Sequence, residues 1–390
     1  MKKRLLITLT YYAPHLSGLT IAAKNLAELL AKNTYEVTVL TTRHTTDLPL
    51  QERIEGVNIH RIPYLFTISK GFLYPFLLGS VIREVRKTDV VMIHLPQVEG
   101  VLIAIIAKLW RKKLLCFYHC TVTMQGNIFE KIIERVMRYG NFITLYLADT
   151  VFVTSMDFAE NDNVLNRYSH KIVQTYPVIG DIVPGQHNKD IFGKLVANKK
   201  YRIGFIGRIA REKGIQYLLS AIPLLRERLG DDFVILIGGD AHSVGEEKYA
   251  QQILKIVHTS GGFARYVGML PAEAIGNFYT LLDVLVVPSI NSTEAFGMVQ
   301  VEAMRFGVPV VATDLPGVRV CVRKTGMGEI VPIRDKKAIA EAITEIVLNP
   351  EVYRKEKRVI DSEFSNQKIL AVFESIFVSE KSSLSDDRRQ

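Results

Sequence analysis

Tyr201-Arg202-Ile203-Gly204-Phe205-Ile206-Gly207-Arg208-Ile209-Ala210-Arg211-Glu212-Lys213-Gly214 is the stretch on which the fold reading turns. Its first six residues are a largely apolar run with the length of a buried strand. Gly207 stops that run, a basic loop follows, and a helical pattern of apolar residues starts at Gly214. Strand, glycine turn and helix in that order open a parallel βαβ unit. The residues just before do not lead into it. Segment 176–198 carries Pro177, Gly180, Pro184 and Gly185 among many polar residues and reads as an interdomain linker. The fold therefore starts a second time at residue 201.

Reading outward, the same grammar occurs at the beginning of the chain. A strand at 5–10 precedes a turn with Pro14 and Gly18 and a helix through 22–31, with further strands at 37–41, 58–62, 90–94, 114–119, 150–154 and 171–175. After residue 201 come a helix over 214–229, strands at 233–237, 264–267, 284–287 and 308–312, and helices at 246–260, 338–347 and 350–363. Near-continuous apolar strands alternating with helices imply parallel sheets covered on both faces. The expectation is an α/β chain of two doubly wound, Rossmann-like domains, 1–180 and 181–365, with a last helix at 366–382 packing back on the first. Ligands of such sheets bind beyond the carboxyl ends of the strands. The substrate site is therefore expected in a cleft that the two domains face.

Composition agrees with two folded domains: of 390 residues, 48% are apolar and 23% charged, and only 379–390 read as a polar tail. The net charge of +9 favours anionic partners such as phosphates or an acidic membrane surface. No run of five basic residues points to nucleic acid. Three cysteines, Cys116, Cys120 and Cys321, are too few and odd in number for a disulfide framework and fit a reducing cytoplasm. Cys116, His119 and Cys120 lack a second cluster to complete four metal ligands, so the thiols read as buried and structural, and no metal is expected. Met1-Lys2-Lys3-Arg4 before Leu5-Leu6-Ile7 imitates a signal peptide, but the apolar run is short and has no small-residue cleavage site. No stretch reaches the roughly 18 uninterrupted apolar residues that span a bilayer. Peripheral attachment stays open. Segment 66–87 sets Phe72, Tyr74, Phe76 and Leu78 beside Lys70, Arg83, Arg86 and Lys87. It reads either as an amphipathic surface for an anionic membrane or as a core helix with a basic solvent face.

Two motifs carry chemistry. In the loop after residue 206, Gly207 lets a ligand approach the backbone, Arg208 offers a bidentate fork for phosphate oxygens and Lys213 a point charge. The same loop also reads as a solvated basic turn. The second motif is Pro288-Ser289-Ile290-Asn291-Ser292-Thr293-Glu294-Ala295-Phe296-Gly297-Met298-Val299-Gln300-Val301-Glu302-Ala303-Met304. A helix starting near Phe296 and Gly297 presents backbone N–H groups and its dipole to an anion. Glu302, about a turn and a half inside, is placed to accept hydrogen bonds from two adjacent ribose hydroxyls, and Glu294 to bind hydroxyls of a transferred sugar. Their spacing alone is weak, since glutamate pairs of this kind are common and mostly solvated.

Together these residues resemble a family. The Gly-Arg…Lys-Gly loop at 207–214, then Glu294-x7-Glu302, then Glu-Ala-Met-Arg-Phe-Gly-Val-Pro-Val-Val-Ala-Thr-Asp-Leu-Pro-Gly at 302–317 look like the retaining glycosyltransferases of family 4, which have the GT-B fold. The resemblance spans nearly the whole chain and is most specific at 204–214 and 284–317. It implies that Arg208 and Lys213 bind the donor diphosphate and that Phe296, Gly297 and Met298 add backbone N–H contacts. It also implies that Glu302 holds the ribose, Glu294 sits near the donor sugar, and Val267 to Leu270 flank the base. Gly238 and Gly239 fall where backbone approaches the donor. Residues 13–18 resemble the family's glycine loop, with Ser17 replacing the first glycine and supplying a hydroxyl while Gly18 is kept. His119 stands where the family often carries a histidine that touches the donor sugar, although a lone histidine at a strand end is often structural. Val320 departs from the pattern, which normally has glutamate there.

The resemblance further implies retention at the anomeric carbon by front-face attack, the departing phosphate accepting the acceptor's proton. A metal-dependent transferase holds its cation with Asp-x-Asp, and no two aspartates here are two positions apart. Arg208, Lys213 and a helix N-terminus supply the same charge stabilisation. The expected catalytic set is His119, Arg208, Lys213 and Glu294, with no cofactor beyond the nucleotide diphosphate sugar donor. A glycan or lipid-linked acceptor is read by the first domain, on a cytoplasmic and peripherally attached protein. A retaining glycosidase would instead need two carboxyl groups flanking the bond. Rival readings are a nucleotide-sugar epimerase of the same fold and a sugar-nucleotide-binding regulator without catalysis. The latter is disfavoured by the intact Arg208, Lys213, Glu294 and Glu302. A dehydrogenase lacks its Gly-x-Gly-x-x-Gly after the first strand.

Overall fold

The computed structural model describes residues 2–68, 71–73, 77–122, 128–185, 196, 199–243 and 245–386. The chain forms two compact units, Met1–Ile179 with Ser365–Gln390, and Gly180–Phe364.

In the first unit the elements run β1 (Lys3–Thr8), α1 (Gly18–Asn33), β2 (Tyr35–Thr42), β3 (Gln51–Ile54), β4 (Val57–Ile62), β5 (Phe66–Ile68), β6 (Gly71–Leu73), α2 (Leu77–Lys87), β7 (Val90–Leu95), α3 (Gly100–Leu109), β8 (Lys113–Tyr118), α4 (Ile128–Leu147), β9 (Thr150–Val153), α5 (Met156–Glu160) and β10 (Ile172–Gln174). The eight-stranded sheet has the order β10-β9-β8-β7-β1-β2-β4-β3. Every pair is parallel except β3 with β4. All six residues of β7 are buried, as a strand covered on both faces requires. Leu5, Ile7, Val39, Met92 and Phe117 of the sheet pack with Leu26 and Leu30 of α1.

The antiparallel edge strand β3 and the β5–β6 hairpin were not anticipated. Of the two readings of segment 66–87, its helical part, Leu77–Lys87, fits the core helix with a basic solvent face: Val81 and Val85 of α2 are buried, while Arg83, Arg86 and Lys87 are exposed. Lys70, Tyr74 and Phe76 lie outside the described residues, as does much of the linker.

The second unit runs β11 (Tyr201–Ile206), α6 (Ile215–Ser220), α7 (Ile222–Leu229), β12 (Phe233–Gly238), α8 (Glu247–His258), β13 (Ala264–Gly268), α9 (Ala272–Leu281), β14 (Val284–Val287), α10 (Met298–Arg305), β15 (Val310–Thr313), α11 (Val320–Thr325), β16 (Gly328–Val331), α12 (Lys336–Leu348), α13 (Pro350–Tyr353) and α14 (Lys357–Glu363). Its six strands are all parallel in the order β13-β12-β11-β14-β15-β16, so the winding reverses between β11 and β14. The single helix expected over 214–229 is two helices. Pro223 sits in the first turn of α7, where its missing N–H costs nothing, and the helix axis restarts at Ala221. The edge strand β16 was also not anticipated. The last helix, α15 (Asn366–Asp386), belongs to the first unit, where Ile369 and Phe373 enter the core. Cys116 and Cys321 are buried, but Cys120 is half-exposed, which corrects the expectation of three buried thiols. Among the described residues no helix is long and apolar enough to cross a membrane.

Candidate active site

The reversal point of the second sheet is where the two chemical motifs meet. β11 and β14 are neighbours, so the loops leaving their carboxyl ends, 207–214 and 288–297, lie side by side. The Ile290 N–H donates to the Glu212 carbonyl at 2.9 Å. Gly214 has φ +68°, and a Cβ there would stand 1.9 Å from the Pro288 carbonyl oxygen, so only glycine permits the approach. Across this seam Lys213 Nζ forms an ion pair with Glu294 Oε2. Arg208 Nη2 donates to Glu212 Oε1 at 2.8 Å from the same loop. Both cations keep a face in water, their side chains being 35% (Arg208) and 23% (Lys213) exposed. The result is a cluster of one guanidinium and one ammonium group, each held by a carboxylate and each partly exposed.

α10 begins beside it. Gly297 takes the left-handed conformation (φ +76°) as N-cap, with no side-chain cap, so the first N–H groups of the helix have no side-chain acceptor. Further along α10, Glu302 Oε2 accepts a hydrogen bond from the Tyr279 hydroxyl at 2.7 Å. Burial pushes the Glu302 carboxyl up, and the Tyr279 hydrogen bond and the Arg305 charge oppose that shift.

In the first unit, Ser17 and Gly18 start α1. His119 follows β8, its N–H bound to the Leu95 carbonyl at 3.0 Å. Its ring stacks on Phe117 with centroids 4.4 Å apart. Its Nε2 lies 2.8 Å from Nδ1 of His94, which is 1% exposed.

Comparison with known proteins gives the family of the chain. Residues 16–173 match the profile described as Glycosyltransferase Family 4, and residues 187–361 the profile described as Glycosyl transferases group 1. The chain is a family-4 glycosyltransferase. It is 26% identical over 357 residues to an uncharacterized glycosyltransferase of Methanocaldococcus jannaschii, covering 88% of each chain. It is 34% identical over 152 residues to a D-inositol 3-phosphate glycosyltransferase of Corynebacterium jeikeium, covering 38% of this chain and 36% of that one. Among solved structures it resembles HepE of Anabaena in complex with UDP, with TM-score 0.74 and 16% identity over 96% of this chain and all of the other, which fits the GT-B fold.

Several residues that the sequence analysis singled out have structural partners of their own in this glycosyltransferase. Gly238 and Gly239 fall where the sequence reading brings backbone close to the donor, and each also has a close neighbour within the unit. Gly239 has φ +139°, and a Cβ there would stand 1.8 Å from the Gly207 carbonyl oxygen, while Gly207 N–H donates to Gly238 at 3.0 Å. The side chains of Leu270 and Val267 close over Gly238, at 3.0 and 3.5 Å from where its Cβ would be. The Ser17 hydroxyl caps α1, accepting from Thr20 N–H at 3.2 Å and donating to Thr20 Oγ1 at 3.2 Å. Gly18, by contrast, has ordinary φ and nothing within 4 Å of a would-be Cβ. Val320, in place of the family's glutamate, opens α11 as a buried apolar residue.

The transferase also holds residues that the sequence reading missed. Gln300 is fully buried and donates both amide hydrogens, to Phe296 O at 2.8 Å and Val318 O at 2.9 Å, which pins the turn before α10. Tyr279 orients Glu302. His94 orients His119. Burial pushes His94 down to about 3, and burial with the His94 neighbour pushes His119 well down, so both rings are neutral. His94 Nε2 has no hydrogen-bond partner among the described residues. An orphaned buried N–H is costlier than an orphaned acceptor, so the proton of His94 sits on Nδ1 and is donated to His119 Nε2. Neutral His119 then carries its own proton on Nδ1 and presents an N–H donor.

Proposed function

We propose that this chain is a retaining, metal-independent glycosyltransferase. It moves a hexose-type sugar from a nucleotide diphosphate sugar to a glycan or lipid-linked acceptor. The single observation that carries the reading is the Lys213–Glu294 ion pair across the seam of the two strand-end loops, with Arg208 beside it. Breaking the sugar–phosphate bond leaves negative charge on the diphosphate. Fixed cations at a helix N-terminus stabilise that charge without reorganising at the moment of reaction. Lys213 shifts from Glu294 toward the phosphate, and Glu294 is released toward the sugar hydroxyls. Glu302, steadied by Tyr279, takes the ribose with its remaining oxygen. The departing phosphate accepts the acceptor's proton, so neither glutamate forms a covalent bond. In the first unit His119 supplies an N–H donor for a sugar hydroxyl.

UDP in the HepE complex supports a uridine diphosphate donor, and the inositol phosphate transferase relative supports a hydroxyl acceptor carrying negative charge. The +9 charge supports attachment to an anionic membrane, and the sparse cysteines a cytoplasmic location. An epimerase would turn over donor without acceptor, and a regulator would bind donor without turnover.

The test is a thermal-shift screen of common nucleotide diphosphate sugars in the presence of EDTA, with Arg208→Ala as control. One donor is expected to raise the midpoint for the native chain only. Turnover in EDTA, with the product's anomeric configuration read by NMR, completes it. Inverted product, loss of turnover in chelator, or undiminished binding by Arg208→Ala overturns the reading.

A further inference from the structure

α4 carries a feature that donor chemistry does not use. Its inner face is packed: Thr144 and Leu145 are fully buried, and Gly140 lies against Val101 of α3. A helix so seated has no need of a second apolar face, yet it has one. Ile128, Ile132, Val136, Tyr139, Ile143 and Tyr146 recur at intervals of three and four and form one stripe on the outer side. Their exposure runs from 42% at Ile143 to 79% at Ile128. Lys131, Arg135 and Arg138 are exposed on the same helix. At 3.6 residues per turn they line one flank of the stripe, about a quarter-turn round. The neighbouring helix α3 adds exposed Leu109 and Trp110 at its end.

We infer that the outer face of α4 is a membrane-docking surface, its apolar stripe entering the acyl boundary of an anionic bilayer while Lys131, Arg135 and Arg138 bind lipid phosphates. An amphipathic helix with bulky apolar residues on one side and cations beside them lies in the interface plane and binds through apolar burial plus attraction to anionic lipid. Tyr139 and Tyr146 suit that boundary, having an apolar ring and a polar tip. A second copy of the chain fits less well. A two-fold pairing of α4 would bring its mid-helix cations, Arg135 and Arg138, against their own copies, and like charges oppose association. The inference deepens the lipid-linked acceptor reading, on which it rests for its purpose. It also moves the membrane contact from segment 66–87 to α4.

The experiment is flotation of the full chain with vesicles of phosphatidylcholine, with and without phosphatidylglycerol. Binding is expected only with the anionic lipid and is expected to weaken with salt. Val136→Glu, at an exposed position of the stripe, and Arg135→Glu are each expected to lower the partition constant about tenfold. Leu78→Glu on α2 is expected to leave it unchanged. Circular dichroism and the donor thermal shift check each variant; both should match the native chain, because none of these residues belongs to the donor loops. Equal flotation of Val136→Glu, or flotation lost in Leu78→Glu instead, overturns the inference. So does a concentration-dependent dimer that Val136→Glu dissociates. Flotation is scored without turnover, so failure of the transferase reading and failure of this surface give different results.

Discussion

Lys213 and Glu294 are 81 positions apart in the chain and share one ion pair, and what each does depends on the other. In the structure the carboxylate compensates the ammonium; on the proposed reading, a diphosphate gives the ammonium a stronger partner. Lys213→Ala therefore removes leaving-group stabilisation while leaving a partly exposed carboxylate that water can solvate. Its kcat/KM is expected to fall by about 10²- to 10³-fold with a melting temperature close to native. A loss of stability in proportion to the loss of rate would mean that the pair is structural. The His94–His119 pair makes a prediction with a sign. Both folded-state values lie below the ordinary histidine value near 6.5, by burial first. Below about pH 6.5 the unfolded chain binds protons that these two rings refuse. Stability is therefore lost as pH falls from about 6.5, by up to about 1.4 kcal/mol per pH unit for each ring, and is independent of them above it. His94→Phe removes one ring, so the drop in melting temperature from pH 7 to pH 5 is expected to shrink. Because His94 also sets the tautomer of His119, the same variant is expected to lower kcat more than it raises the donor KM. It also removes the neighbour that depresses His119, so the acid limb of the rate profile should move to higher pH. An unchanged profile would reduce His94 to packing.

At the scale of elements, the donor loops are shaped by glycines whose partners are other loops. Gly239→Ala puts a methyl group 1.8 Å from the Gly207 carbonyl oxygen at a φ of +139° that alanine resists. A cost of about 2 kcal/mol or more is expected, together with weaker donor binding, because Gly207 must shift and carries Arg208 with it. Gly18→Ala is the contrast. It meets nothing and sits at the start of α1, so chemical denaturation should show stability unchanged or raised by about 0.5 kcal/mol. If its turnover nevertheless falls, the space beside Gly18 is used by substrate. This contrast marks what sequence does and does not reveal. Strands buried on both faces, such as β7 and β12, are written as unbroken apolar runs and can be read directly. β3 is Gln-Glu-Arg-Ile and β16 is Gly-Glu-Ile-Val, edge strands without such a run, and the register that recruits them is a long-range fact. Pro223 did announce the break between α6 and α7, but the apolar pattern runs through it. In the site, Arg208, Lys213, Glu294 and Glu302 stand out because charged residues at strand ends demand a reason. Tyr279 and His94 do not, since each is a single polar side chain whose partner lies 23 or 25 residues away.

At the scale of the molecule, α15 separates neighbourhood in sequence from neighbourhood in space. It follows α14 of the second unit, yet Phe373 packs tilted against Phe152 of β9 at a centroid distance of 4.6 Å. Lys113 of β8 donates to the Ile376 carbonyl at 2.8 Å. Ile369 is 3% exposed and Phe373 1%, within the core built on β1, β2, β7 and β8. The C-terminus thus acts as a structural part of the unit that begins at the N-terminus, and the chain crosses between the units twice. Phe373→Ala should leave a cavity in the first unit and cost it about 3–5 kcal/mol. The second unit has its own closed core, including Ile203, Ile235 and Val286, and should not register the loss. Hydrogen exchange is the measurement that separates them, because it reports local opening segment by segment. Amides of β8 and β9 are expected to exchange faster, while those of β11 and β12 keep native protection and the donor-dependent thermal shift persists. Faster exchange spread evenly over both units would show instead that they unfold as one cooperative body, and α15 would then be a clasp for the whole chain.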